Sequence, residues 1–320
     1  MKKTEGKPKP GTYVESIAFV VNDRPTAVYS VGLQKMTEEF IKHFSSTFWE
    51  HQLNLLKGVP RNSVTHDHVS LARFALAHAE EHLFSLIFAF LQAPHCPDLW
   101  LYRYKHEDLI DLVGRFKTSG KIRNCFKLEN LTWDNLARVL WPGLEETRYV
   151  QTCLMLERLA ELFTSDFGRE EFNGMKHGMR LSFGGMHFSF SPGGSPDRLP
   201  DPESFVSLGG SEYGCRFWAF ERVAGSKGHY RAKLRMANWD IDEIIFYLSH
   251  ATLLIGNMGA AFRSFAKIPG ESAFKFYSAA DAYDRDPRKV TGMVVGEMTA
   301  NFELNKSDLA DFERLNGIYT

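Results

Sequence analysis

Four side chains able to handle a phosphate or move a proton fall within two turns of one short segment. In EEFNGMKHGMRLSF, residues 170–183, these are Asn173, Lys176, His177 and Arg180. On a helix, Arg169, Asn173 and His177 stand at i, i+4 and i+8 and line one face, with Lys176 and Arg180 at its border. Gly178 suits the position that stops the helix. His177 and Lys176 then lie in the last turn, where the helix dipole favours positive charge and raises the basicity of an imidazole. Arg169, Lys176 and Arg180 would bind a phosphate there. Cleaving one would require His177 as general base, with Lys176 or Arg180 stabilising the developing charge. A helix end with basic neighbours is the plainer alternative. Gly174 leans toward a functional reading, because mid-helix glycine costs about 1 kcal/mol against alanine.

A second set of reactive groups sits in ALAHAEEHLFSLIFAFL. His78, Glu81, His82 and Ser85 share one face of a helix whose second half is apolar all round, so the polar stripe must find partners inside a core. The spacing His78-x-x-Glu81-His82 also fits a zinc site in which two histidines hold the metal and the glutamate activates water. This is the alternative reading, a metal-dependent hydrolase or oxidase using zinc or iron. Glu157 and Glu161 are the candidates for a third ligand, and both are expected to face solvent. A di-iron bundle needs two Glu-x-x-His pairs on partner helices, and the chain has none. Glu39 with His43 reads as a solvated pair, and His66 with His68 as the start of a helix. A third stripe, Glu243, His250 and Asn257, lies on another apolar helix. A third alternative is a non-catalytic interaction or scaffold protein, in which all three stripes only fix helix register.

Composition limits the remaining classes. With 320 residues, 44% apolar and 26 phenylalanines, the chain can bury a large core and is not disordered overall. A formal net charge of −1 supplies no global field for nucleic acid or an acidic membrane, so any basic surface is local. Cys96, Cys125, Cys153 and Cys215 are widely spaced, which argues against a disulfide framework or a thiolate zinc site and suits a reducing cytoplasm. The basic start, MKKTEGKPKPG, is not followed by an unbroken apolar run, so no secretory signal is expected. Residues 244–262 lack charged side chains but hold His250, Asn257 and two glycines; a buried helix is expected there rather than a membrane span. No GxGxxG, GxxxxGK[ST] or GxSxG pattern occurs in the required context.

These residues must be positioned by a mainly α fold, a helical bundle with an inserted antiparallel β-hairpin region. Residues 1–30 read as a leader and a short strand–turn–strand unit, and 31–179 as the bundle. Within it, helices are expected over about 31–57, 67–92, 106–116, 132–140, 145–164 and 169–177. From 180 to 237, short β-type runs alternate with glycine, proline and serine. Residues 238–268 return to the bundle with Asp240 as N-cap. Residues 269–320 form a mixed tail, with a short helix from Ser307.

Asn173-Gly-Met-Lys176-His177-Gly178, on a helix of such a bundle, resembles the polar motif of the HEPN superfamily. The Asn and His match the polar residue and the histidine of that motif. The preceding position is Phe172 rather than arginine, and Arg169 leaves seven residues before His177. The resemblance implies a helical bundle, often dimeric. It also implies a metal-independent ribonuclease of defence systems that acts on RNA or nucleotides with no cofactor. His177 would be the base, Asn173 would orient it, and Lys176 and Arg180 would contact phosphate.

Overall fold

Alternating β-branched and aromatic residues on either side of Asn22-Asp23 make the first element of the chain a hairpin. In the computed structural model, which describes residues 15–176, 180–190, 205–222, 230–270, 274–276 and 298–302, strands β1 (Glu15–Val21) and β2 (Arg24–Ser30) pair antiparallel with Val21 opposite Arg24. Asn22 takes the left-handed conformation, φ 59°, that this turn demands and asparagine tolerates. The helices follow: α1 (Leu33–His43), α2 (Thr47–Lys57), α3 (His66–Gln92), α4 (Pro97–Arg103), α5 (His106–Ser119), α6 (Trp133–Leu140), α7 (Glu146–Thr164) and α8 (Asp166–Lys176). Strands β3 (Ser182–Phe183), β4 (His187–Phe190), β5 (Val206–Gly210), β6 (Gly214–Arg222) and β7 (Tyr230–Asn238) precede helix α9 (Ile241–Ala266), and β8 (Met298–Phe302) comes last. The fold is mainly α with an antiparallel β region.

The helix expected over 31–57 is two helices. At Phe44 the backbone leaves the helix, and Ser46 starts a new one: its carbonyl accepts from the N–H groups of Trp49 and Glu50, and its hydroxyl donates to Glu50 at 2.6 Å. Serine at such a position offers the backbone an alternative to continuing the first helix. Asp240 caps α9 as expected, its carboxylate accepting from the N–H groups of Asp242 and Glu243.

The chain forms two compact units. Unit 1 holds residues 1–54, 76–164 and 247–288. Its core is the apolar half of α3, where Leu83, Phe84, Leu86, Ile87, Phe88 and Leu91 are all fully buried. Around them lie Trp100, Leu109, Leu112, Trp141, Leu156 and Phe262. At about 1.5–3 kcal/mol for each such side chain, these residues dominate the unit's stability. One buried amide inside it is fully matched. Gln92 accepts from the Trp100 indole at 3.1 Å and donates to the carbonyls of Asn22 and Arg123. Helices α3 and α9 are long and apolar enough to cross a membrane, yet 78% of the apolar window in each is buried inside the fold.

Unit 2 holds residues 55–75, 165–246 and 289–320. It is built on a four-stranded antiparallel sheet in the order β3-β6-β7-β8, with β4 and β5 paired separately. Helix α8 lies on one face of this sheet, with Phe167 5.4 Å from Phe217 of β6 between ring centres. Tyr213, just before β6, donates its hydroxyl to the Val64 carbonyl at 3.2 Å.

Candidate functional site

Two successive glutamates, Glu170 and Glu171, face α8 toward the sheet of unit 2. Glu171 is only 1% exposed. One of its oxygens accepts from Arg73 twice, from Nε at 3.0 Å and from Nη2 at 2.6 Å. The other accepts from the Trp239 indole at 2.7 Å and receives the Cys215 thiol at 3.6 Å. A buried carboxylate is tolerable only with this degree of matching. Burial and the neighbouring Glu171 push the Cys215 thiol well above its usual range, so it is not a thiolate nucleophile. Glu170 pairs with Arg235 at 2.8 Å, and that guanidinium also lies 5.9 Å over the Phe167 ring. All of these groups are spent on one another, and they hold α8 to the sheet.

The sequence-predicted residues of α8 point the other way. Asn173 and Lys176 are exposed, and the Lys176 ammonium lies 5.5 Å from the centre of the Phe172 ring. Arg169 pairs with Asp166 at 3.0 Å. Arg180 is exposed, and its backbone N–H donates to the Gly174 carbonyl at 2.8 Å, closing the end of the helix. His177, the expected base, lies outside the described residues, as do Gly178 and the helix expected from Ser307. Gly174 has a packing reason: a Cβ there would meet Leu181 Cδ2 at 2.8 Å. Its presence therefore does not argue for catalysis.

The His78–Glu81–His82 stripe of unit 1 is engaged locally. Glu81 is 3.1 Å from Nδ1 of His106 and accepts from the Tyr104 hydroxyl at 3.5 Å. His82 Nδ1 accepts from the Trp49 indole at 2.9 Å, and its ring packs against Phe44 and Trp49. Burial pulls the pKa of His82 down to about 4, with Glu81 opposing the shift, so the ring is neutral and its proton is on Nε2. His78 is half-buried on the same helix. Among the described residues no group of three or more His, Cys, Asp or Glu side chains is disposed to hold a metal ion. Glu161 instead pairs with Arg158 at 3.3 Å. In the third stripe, His250 and Asn257 are buried, and Asn257 clamps the backbone N–H and carbonyl of Lys275.

The feature that motif reading missed is the other face of the sheet. Strand β6 alternates, with Cys215, Phe217 and Ala219 buried against α8 and Arg216, Trp218, Phe220 and Arg222 on the opposite side. Trp218 is 51% exposed and Phe220 68%. Tyr230 of β7, directly across from Arg222, is 53% exposed. Opposite Phe220 stands only Ala232, which leaves that ring uncovered from the side. Three aromatic rings and two arginines thus share one open face. Their signal was present in the period-two pattern of YGCRFWAFER, in which every second residue is aromatic or basic. No protein-family model, curated protein or solved structure matches this chain.

Proposed function

We propose that this protein binds single-stranded RNA on the open face of the unit 2 sheet, in the cytoplasm. The observation that carries this reading is the shared exposure of Trp218, Phe220 and Tyr230 between Arg216 and Arg222. Unstacked bases rest on aromatic rings at about 1–3 kcal/mol per base, while arginine contacts the backbone or stacks in turn. Residues two apart on a strand are roughly 7 Å apart, so Trp218 and Phe220 offer separate platforms. The near-neutral net charge suits such a local mode, because it gives no long-range pull on duplex nucleic acid.

The HEPN-like motif of α8 extends this reading from binding to metal-independent cleavage in a defence role. His177 would act as base and Asn173 would orient it, while Lys176 and Arg180 contact phosphate. A homodimer would supply the second half of the cleft. The exposure of Asn173, Lys176 and Arg180 supports this extension.

Anisotropy titrations of a fluorescein-labelled RNA, single-stranded and as a duplex, test the binding claim. Tighter binding of the single strand, weakened about tenfold in Trp218→Ala, is expected. Equal binding of both forms, unchanged in Trp218→Ala and Phe220→Ala, would refute it. Cleavage of the RNA in excess chelator, lost in His177→Ala, tests the extension; persistence of that cleavage in the variant would remove His177 from it.

A further inference from the structure

The rings on the open face of the unit 2 sheet stand in a definite order. Trp218 and Phe220 follow one another on the same side of β6, roughly 7 Å apart. The next position on that side is Arg222, and the third ring comes from the neighbouring strand. Phe220 is opposite Ala232 and Arg222 is opposite Tyr230, so Tyr230 is the diagonal neighbour of Phe220, about 7–8 Å away. Trp218, Phe220 and Tyr230 therefore form one row with near-equal steps. Arg216 precedes the row and Arg222 lies at its far end, about 20 Å further along β6.

The cross-strand neighbours decide what a base on each ring would meet beside it. Leu234 stands next to Trp218, and Ala232 next to Phe220. Both are half-buried in the face, and neither side chain carries a donor or an acceptor. They can pack against a base, but telling one base edge from another takes hydrogen bonds. At the Tyr230 end the neighbour is different, because Arg222 stands directly alongside that ring.

We infer that this face binds three consecutive nucleotides of a single strand, one base to each ring, and that it accepts any base on Trp218 and on Phe220. This rests on the single-stranded RNA reading and adds to it the length and the sequence class of the ligand. The equal steps let an unstacked strand lay successive bases on successive rings without a change of direction. Arg216 and Arg222 hold the sugar–phosphate backbone at the two ends of the row. Stacking is indifferent to the identity of the base, since every base has a π-face. The face thus recognises that a strand is unpaired, and takes its length from the number of rings.

Displacement of a fluorescein-labelled single-stranded RNA from the full chain by unlabelled oligouridylates of two to eight nucleotides tests the length. Affinity should rise about tenfold from two nucleotides to three, as one more base stacks, and only slowly beyond. Tyr230→Ala should abolish the gain from two to three and leave dinucleotide affinity unchanged. Tyr230→Phe, which keeps the ring, should retain the gain. The four trinucleotides UNU, with N each base in turn, test tolerance, because the middle base lies on Phe220 whichever way the strand runs. Their affinities should agree within about tenfold. A break at another length, a gain from two to three that survives Tyr230→Ala, or a wider spread among the UNU strands would overturn the inference while single-strand binding itself stands. Absence of any preference for single strands would overturn the RNA reading, and this inference with it.

Discussion

The two faces of the unit 2 sheet are made from the same kinds of residue and leave them in opposite environments. On the face that carries α8, Phe217 and Trp239 are buried, and Arg73 and Arg235 are each paired with a glutamate of the helix. On the other face Trp218, Phe220 and Tyr230 stand half or more exposed beside Arg216 and Arg222. Residue type alone does not separate a structural group from a functional one. Burial does: a side chain enclosed by its neighbours has no surface left for a ligand.

The sharpest way to break this comparison is at the buried carboxylate. Glu171→Ala leaves Arg73 inside the fold without its counter-charge and should cost about 3–5 kcal/mol in urea unfolding. Asn173→Ala, two residues along on the exposed side, should stay within about 0.5 kcal/mol. Similar costs at the two positions would contradict the assignment of the inner face. Phe217→Ala should likewise cost about 3–5 kcal/mol through the cavity it leaves, against less than about 1 kcal/mol for its exposed neighbour in Trp218→Ala.

The same rule governs the histidine stripe of unit 1. His82 is buried as the neutral ring, with its pKa lowered from 6.5 to about 4. The unfolded chain binds a proton at this site more readily than the folded one between those values. Its contribution is therefore present above pH 6.5 and is lost as the pH falls toward 4. Chemical denaturation along that range should show wild type losing about 3 kcal/mol more than His82→Gln. Parallel pH profiles would show that His82 is not the group responsible. The smallest effect is expected at Gly174→Ala. The helix gain of about 1 kcal/mol should be cancelled by the contact with Leu181, leaving the melting temperature nearly unchanged; a clear rise would mean that Leu181 yields freely.

Much of this fold is legible in the sequence because its periodicities are strong. Residues 66–92 and 241–266 read as long buried helices from their continuous apolar character. Asp240 announces its cap, and Asn22-Asp23 announces its hairpin. The break at Phe44–Ser46 was hidden because the apolar spacing of Phe40, Phe44 and Phe48 continues through it, whereas the hydroxyls of Ser45 and Ser46 decide the local geometry. The candidate site was less legible for a different reason. Asn173, Lys176 and Arg180 form a motif in the sequence, while Glu171, two residues before Asn173, belongs to no local pattern. Its burial depends on Arg73 and Trp239, about a hundred and about seventy positions away, and no local pattern joins them. The exposed rings of β6 are visible in the alternation, but which side of the strand meets α8 is decided only by the packing.

The central claim is that the open face of the sheet, and not the buried one, meets the ligand. The most direct test is the affinity of Trp218→Ala, Phe220→Ala and the double variant for a labelled single-stranded RNA, with the melting temperature of each measured alongside. The account predicts about a tenfold loss for each single variant and a larger loss for the double, with melting temperatures close to wild type. Wild-type affinity in the double variant, at wild-type stability, would contradict it.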